Sequence, residues 1–187
     1  MRVPGVYTGM PIATHNLDGY GAPPIEWSRV REVLDSQLPQ APGTGGPDRH
    51  TSWLTTINPD GGPHVTALGI VKVDGTWYFT SGPHTRKSRN LTRDSRCAVS
   101  VATHPFDLVV EGTAERVTDA AQLRRVAAAF RHAGWPAEVD GHALTAEYNA
   151  PSAGPPPWYV YRLVPSTVYA LATAEPHGAT KFEVTVR

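Results

Sequence analysis

The residues with the clearest chemical potential lie between Thr80 and Asn90, which read TSGPHTRKSRN. An aromatic and β-branched segment at 76–81 ends at this point, and a helical turn is predicted from Arg86 to Arg93. Hydroxyl groups, the free amides of a helix start and two or three cations therefore meet in one short segment, which suits a phosphate group. The same composition also fits a solvated basic turn, because runs of charge usually face water.

Other chemistries find little support in the sequence. The eight histidines include no pair at i, i+4 and no HExxH pattern, so no metal site is expected. Cys97, the only cysteine, opens a predicted strand and is interpreted as a small buried hydrophobe. The chain has no Gly-x-Ser-x-Gly elbow, and its glycine-rich loop at 42–47 is not followed by Lys and then Ser or Thr. Neither a serine hydrolase nor a nucleotide P-loop is indicated.

The composition narrows the class of protein. The 187 residues are 40% hydrophobic and 18% charged, which is enough apolar surface for one folded domain. Seventeen Lys and Arg residues balance seventeen Asp and Glu residues, so no nucleic-acid partner is expected. No segment approaches the roughly 20 apolar residues that span a bilayer, and residues 1–12 lack the apolar core of a secretory signal. We therefore expect a cytoplasmic protein with no membrane partner.

The first fifty residues differ from the rest of the chain. Residues 1–24 are rich in Gly and Pro and show no regular period, which indicates an irregular arm or one ordered only by docking. Apolar residues then recur at helical spacing from Ile25 to Leu38, and Gln40–Asp48 has the composition of a loop. We interpret residues 1–50 as an N-terminal arm and residues 51–187 as the main domain.

From residue 51 the hydrophobic period drops to two, which predicts short antiparallel strands. Asp74-Gly75 is the strongest hairpin signal, and Gly112 within a strand indicates a bulge or a close backbone approach. A longer helix is predicted from Asp119 to His132, with Asp119 and Gln122 resembling a capping box and Gly134 ending the helix. The predicted strands are 53–57, 65–73, 76–81, 97–103, 108–117, 158–164 and 167–171, with a further alternation at 180–187. Six or seven strands with two helices favour a closed barrel over an open sheet.

Two segments carry a resemblance to a known family: Trp77–Leu91 (WYFTSGPHTRKSRNL) and Asp94–Val101 (DSRCAVSV). With the order of strands and turns around them, they resemble the split-barrel flavin-binding superfamily typified by pyridoxamine 5′-phosphate oxidase. The likeness runs from about Trp53 to Val117 and returns weakly at 158–182. The run Lys87 to Leu91 (KSRNL) is similar to the actinobacterial branch of flavin and deazaflavin oxidoreductases. The resemblance implies a mainly β, α+β split β-barrel with two or more flanking helices.

The resemblance also implies a cofactor site with several parts. The cofactor phosphate would be held at the end of the aromatic strand and in the turn after it, and the ring would lie along the backbone of the neighbouring strand. Asp107, five residues before Gly112, falls where pyridoxamine-phosphate oxidases carry a ring-contacting Gln. Lys181 matches a late basic residue of the branch and would serve the site of a partner subunit. The implied cofactor-binding residues are His64, Val65, Thr66, Ala67, Phe79, Thr80, Ser81, Thr85, Arg86, Lys87, Asp107 and Lys181.

The function implied by the resemblance is an oxidoreductase that transfers hydride to or from a small organic substrate. The expected cofactor is the deazaflavin coenzyme F-420, with FMN as the alternative, because further cations suit the longer anionic tail of the deazaflavin. Family members are homodimers with the cofactor between subunits, so a homodimer is expected. Trp53, Trp158 and Tyr148 are candidates for the pocket lining, and each also fits plain core or dimer interface.

Two considerations leave the function open. The family's late Arg-Leu-His-Asp ending is missing from 168–182, so vitamin B6 oxidation is disfavoured. Some split-barrel proteins bind a flavin, haem or related tetrapyrrole without turning over a substrate. A non-catalytic binding or carrier protein is therefore the alternative to the oxidoreductase.

Overall fold

A computed structural model of the chain describes residues 9, 11–36, 52–149 and 153–185. The predicted boundary at residue 50 and the loop at 40–48 lie outside these residues. The helix predicted for 25–38 is shorter than expected, since it begins at Trp27 and ends at Asp35 with Ser36 as its C-cap. None of the helices within the described ranges is long and apolar enough to cross a membrane.

The secondary structure is mainly β, with three helices in the described residues. The helices are α1 (Trp27–Asp35), α2 (Arg86–Arg93) and α3 (Ala120–His132). The strands are β1 (Ala13–Asn16), β2 (Ser52–Ile57), β3 (Pro63–Leu68), β4 (Val71–Val73), β5 (Thr76–Ser81), β6 (Arg96–Ala102), β7 (Phe106–Val117), β8 (Glu138–Asp140), β9 (Ala143–Thr145), β10 (Tyr159–Ala172) and β11 (Ala179–Glu183).

The long strand β10 organises the sheet. Neighbouring strands follow the order β1-β11-β10-β7-β6-β2-β3, and every pairing in this path is antiparallel. One edge of β10 pairs with β7 along the whole strand, whereas its other edge pairs with β5 at Tyr159–Arg162 and with β11 at Thr167–Leu171. The sheet therefore divides at the middle of β10, and the predicted α+β split-barrel fold is confirmed.

The predicted number of strands, six or seven, is too low. In the part of the chain that the structure describes, nine strands form the main sheet, and β8 and β9 form a separate hairpin. The segment predicted as one strand at 65–73 contains both β3 and β4, while the strands predicted at 158–164 and 167–171 are one strand, β10. Strand β1 (ATHN) shows no apolar alternation that could have predicted it. It forms by backbone pairing with β11 and does not bury one face.

Gly112 lies where the sheet divides. Its position within a strand predicted a bulge or a close backbone approach at this point. It lies opposite Pro165, and the register of β10 against β7 shifts between Pro165 and Thr167. A Cβ atom at Gly112 would overlap the carbonyl oxygen of Val164 and would lie 2.9 Å from the Cα of Pro165. Only glycine allows the two backbones to approach this closely.

The barrel interior and α1 share one hydrophobic core. Trp27, Val30 and Leu34 of α1 are buried in the same cluster as Phe79 and Val110 of the sheet. The ring of Trp27 lies 4.9 Å from that of Phe182, centroid to centroid. Burial of these apolar side chains stabilises the packing of α1 on the barrel, by about 25 cal/mol for each Å² of apolar surface removed from water.

Helix α3 packs on the other side of β5 and covers a second cluster that includes Tyr78. The carboxylate of Asp119 accepts a hydrogen bond of 2.8 Å from the backbone N–H of Gln122, as predicted for an N-cap. The reciprocal half of the predicted capping box is absent, because the Gln122 side chain donates to the hydroxyl of Tyr78 at 2.8 Å instead. Gly134 follows the helix with a φ of 91°, which confirms the predicted end.

Candidate functional site

Helix α2 begins immediately beyond β5, as the sequence predicted. Thr85 caps it: its hydroxyl accepts a 3.3 Å hydrogen bond from the Ser88 N–H, while the backbone N–H of Thr85 donates to the carbonyl of Gly82 at 3.1 Å. Gly82 allows the backbone at Ala153 to approach this turn closely, because a Cβ on Gly82 would lie 2.7 Å from the carbonyl oxygen of Ala153.

A chain of hydroxyl groups anchors the start of α2 to β5 and β10. Ser81 lies 2.7 Å from Thr85 and accepts a 2.7 Å hydrogen bond from Ser88, oxygen to oxygen. Tyr161 of β10 donates to Ser88 at 3.4 Å. Burial raises the pKa of Tyr161, so this phenol stays protonated at neutral pH. The predicted residues Ser81 and Thr85 therefore lie side by side in one hydrogen-bonded network.

A second anchor joins α2 to β2. The buried amide of Asn90 donates to the hydroxyl of Thr56 at 3.1 Å and to the side-chain oxygen of Asn58 at 3.2 Å. Because β5 does not pair with β2, α2 bridges this side of the barrel. The sequence placed Asn90 in a family-like motif but did not assign it this role.

Arg86 and Lys87 form an uncompensated positive pair at the start of α2. No acidic residue lies in the first turn, and no hydrogen bond or ion pair of either side chain is recorded within the described part of the chain. Lys87 is half-buried, and burial lowers its pKa below the ordinary value of 10.5. Arg89 and Arg93 differ, because they donate to the backbone carbonyls of His84 and Ile57.

Strand β3 lies beside this positive pair. The pKa of His64 is lowered first by burial and then by the charges of Arg86 and Lys87. In the described residues β3 is the last strand of the sheet path and pairs only with β2. Val65 and Ala67 are exposed along this strand, while His64 and Thr66 are half-buried. The two predicted halves of the site, β3 and the turn into α2, are therefore neighbours.

The chemistry of these groups suits an anion. Two cations, the first amides of α2 and the hydroxyls of Ser81 and Thr85 are grouped with no acidic side chain in the first helical turn. The buried indole N–H of Trp158 also has no acceptor among the described residues, and the carbon next to it would lie 3.6 Å from a Cβ on Gly82. The residues present therefore fit a phosphate-bearing ligand.

Comparison with known proteins identifies the family of this chain. A family model described as pyridoxamine 5′-phosphate oxidase matches residues 46–172, which is more than half of the chain. The chain belongs to the pyridoxamine 5′-phosphate oxidase family. Among curated proteins, none has significant sequence similarity to it.

Solved structures of the same fold carry varied descriptions. The conserved hypothetical protein Rv2991 from Mycobacterium tuberculosis is 18% identical with a TM-score of 0.53, covering 89% of each chain. A NimC/NimA family protein from Clostridium acetobutylicum is 11% identical with a TM-score of 0.52, covering 84% of this chain and 91% of that one. A haem-binding protein from Mycobacterium smegmatis is 16% identical with a TM-score of 0.53, covering 72% of this chain and 53% of that one. At these identities the likeness shows the fold alone.

Three residues expected from the family resemblance stand apart from the cluster. Phe79 is fully buried and stacks on Tyr161 at 5.4 Å between ring centroids, so its side chain has no surface for a ligand. Asp107 is exposed near the start of β7, where it lies opposite Ala102 of β6 and Leu171 of β10. Lys181, on β11, pairs with Glu183 at 3.0 Å, and this hydrogen bond raises the pKa of Lys181. Thr80 is half-buried at the end of β5.

A groove of about 480 Å³ lies across the sheet beside Gly112. It is lined by β2, β6, β7 and β10, and none of the twelve residues expected from the family resemblance lines it. Cys97 borders it but is itself 8% exposed, which confirms its interpretation as a buried hydrophobe.

Cys97 is expected to resist thiol reagents in the native protein. Burial raises the pKa of its thiol to about 12, so almost no thiolate exists at pH 8. Native protein should react with Ellman's reagent many-fold more slowly than protein in guanidinium chloride. Equal rates in the two conditions would contradict the buried, protonated thiol.

Proposed function

We propose that this protein is an oxidoreductase that binds a phosphate-bearing flavin coenzyme between β3 and the start of α2. F-420 is the proposed coenzyme and FMN the alternative, with hydride passing to or from a small organic molecule. The observation that carries the proposal is Lys87, a half-buried cation with no acidic partner in the described residues and with Arg86 beside it. An unpaired charge is costly to bury, and a bound phosphate would compensate for it.

The chain's own residues would bind and orient the coenzyme. Lys87 and Arg86 would neutralise its phosphate, and the hydroxyl of Thr85 is already ordered through Ser81. The backbone of β3, along which Val65 and Ala67 are exposed, offers a surface against which a planar ring can lie. When bound, the coenzyme supplies the hydride chemistry, and the protein supplies position and partial exclusion of water.

The preference for F-420 rests on charge. Arg89 and Arg93 follow the phosphate-binding pair along α2, and both are exposed. Each uses one side of its guanidinium for a backbone carbonyl and keeps further N–H donors for a second partner. A tail with several carboxylates would gain more from these two cations than the single phosphate of FMN.

Turnover distinguishes the oxidoreductase from a carrier. Under anaerobic conditions, protein loaded with reduced F-420 or FMN is mixed with small electrophiles such as quinones and enones, and coenzyme oxidation is followed by absorbance. Oxidation faster than in protein-free controls supports the enzyme. Tight coenzyme binding with no acceleration across the panel would overturn the oxidoreductase and favour a carrier.

A second candidate function is the binding of haem or another tetrapyrrole. It is favoured by the fold shared with the haem-binding protein from M. smegmatis. The two propionates of haem are anions that Arg86 and Lys87 could also neutralise. A sharp Soret shift on titration with haemin, competed by inorganic phosphate, would support this candidate over the flavin.

We also propose that the protein is a homodimer formed through the outer face of the sheet. Residues that lie directly opposite on paired strands share one face. By this register Trp53, Val109 and Tyr169 lie in one row, which Lys181 continues on β11. Trp53 is 42% exposed, which is unusual for so large an apolar side chain. Lys181 lies on β11, five strands from β3 along the sheet path, and in this dimer it would serve the partner's site.

Trp53→Glu is expected to convert the dimer to a monomer, because a buried carboxylate without a partner costs several kcal/mol. Sedimentation equilibrium measures the change. Tyr148→Glu is the matched control, since Tyr148 is 58% exposed but lies outside the sheet face, and it should stay dimeric. A Trp53→Glu protein that keeps the wild-type mass would contradict the proposed interface.

A further inference from the structure

The hydroxyl of Thr56 connects helix α2 with strand β3. Thr56 has no exposed surface, and its Oγ1 lies 3.1 Å from the Asn90 amide nitrogen and 3.4 Å from the His64 Nδ1. Thr56 and His64 are directly opposed residues of β2 and β3. Three side chains from three elements thus form one continuous hydrogen-bonded line.

The direction of each hydrogen bond in this line follows from the groups present. The amide nitrogen of Asn90 can only donate, so Thr56 accepts there. The single hydrogen of the Thr56 hydroxyl must then point elsewhere, and His64 Nδ1 is the one further partner recorded for it within the described residues. His64 Nδ1 therefore accepts, which leaves the ring proton on Nε2.

Burial and two neighbouring charges keep this imidazole neutral. Burial lowers the pKa of His64 first, and the charges of Arg86 and Lys87 on α2 lower it further. At pH 7 the ring therefore carries one hydrogen, on Nε2. No acceptor for Nε2 is recorded in the part of the chain that the structure describes, and the His64 side chain is only half-buried.

We propose that His64 is a ligand-binding residue whose Nε2–H is a fixed hydrogen-bond donor to the anionic group held by Arg86 and Lys87. Thr56 and Asn90 are positioning residues that fix its tautomer. This inference rests on the proposed phosphate site and assigns the His64 side chain, where the family resemblance implied only the backbone of β3. With His64 added, the site presents donors, which selects ligands that carry acceptor oxygens.

Imidazole NMR on the full-length, 15N-labelled protein tests the tautomer directly. Two-bond 1H–15N correlations at pH 7 distinguish a protonated from an unprotonated ring nitrogen, and His64→Gln identifies the His64 signals among the eight histidines. We expect His64 Nδ1 unprotonated and Nε2 protonated. Titration with inorganic phosphate should shift the Nε2 signal.

Substitutions at Thr56 separate positioning from stability. Thr56→Val keeps the side-chain shape but removes the hydroxyl, so we expect mixed His64 tautomers and phosphate affinity about tenfold weaker. Thr56→Ser keeps the hydroxyl and should retain both the tautomer and the affinity. Thr55→Val, one residue away on the other face of β2, should match wild type.

The outcomes separate this inference from the proposed function. A wild-type His64 with its proton on Nδ1, or a charged His64 at pH 7, overturns the positioning role even if phosphate binds. Normal phosphate affinity in Thr56→Val also overturns it. If phosphate binds but does not shift the His64 Nε2 signal, His64 is not a ligand and this inference is overturned. If phosphate does not bind at all, the anion site itself is overturned.

Discussion

Lys87→Met is expected to abolish tight coenzyme binding and to make the folded chain more stable. The charged amine of Lys87 is half-buried, and no acidic partner is recorded for it in the described residues. Methionine fills a similar apolar volume without the charge. A lost charge-assisted hydrogen bond to phosphate is worth about 1.5–3 kcal/mol, or roughly 10- to 150-fold in affinity.

Binding and stability must be measured together for this variant. Coenzyme affinity is measured by fluorescence quenching and stability by urea denaturation. Arg124→Met, on the exposed face of α3, is the control and should change neither quantity by more than a few tenths of a kcal/mol. A Lys87→Met protein that binds as tightly as wild type would remove Lys87 from the site.

The same lysine predicts a pH dependence with a definite sign. Burial lowers the pKa of Lys87 in the folded protein, whereas the unfolded chain keeps its proton up to the ordinary value of 10.5. Between these two pKa values the unfolded state binds more protons, so stability due to this group rises with pH. Urea denaturation of wild type and of Lys87→Met over a series of alkaline pH values measures this effect. The free energy of unfolding of wild type should rise with pH relative to that of Lys87→Met.

Gly112→Ala is expected to destabilise the protein by about 3 kcal/mol or more. The new methyl would overlap the carbonyl oxygen of Val164 and contact the Cα of Pro165. Both are backbone atoms of β10, which is paired along its length with β7 and cannot move aside without breaking the ladder. With a total stability of about 5–15 kcal/mol, a loss of this size is a large fraction.

A matched glycine provides the control for this substitution. A Cβ atom added at Gly19 would meet no other atom within 4 Å, and the φ of Gly19 is not positive, so Gly19→Ala should leave the denaturation midpoint nearly unchanged. If Gly112→Ala is as stable as Gly19→Ala, the close approach of β7 and β10 is wrong.

The fold was largely predictable because its elements bury one face at a regular period. Alternation at 76–81 and 108–117 and helical spacing at 120–132 left clear patterns in the sequence. Strand β1 left none, since backbone pairing with β11 forms it and its side chains are mostly exposed. The continuity of β10 through Pro165 was also hidden, because proline usually interrupts a strand and here lies at a bulge.

The candidate site could be predicted only where its residues are adjacent in sequence. Ser81, Thr85, Arg86 and Lys87 fall in one turn, so their types and spacing already indicated a phosphate. The line from Asn90 through Thr56 to His64 joins residues 8 and 34 positions apart, and no local pattern connects them. Phe79 was expected in the site only because of the family resemblance. In the structure its side chain packs against Tyr161 in the core instead.

The central claim is that the Arg86–Lys87 site binds the phosphate of a flavin coenzyme. Titration of the purified protein with F-420 and, separately, with FMN, followed by fluorescence quenching, tests it most directly. We predict saturable binding, tighter for F-420 than for FMN and weakened by added inorganic phosphate. Tighter binding of FMN would mean that FMN, and not F-420, is the coenzyme. Failure to bind either coenzyme would contradict the account, and the positive pair would then be a solvated turn.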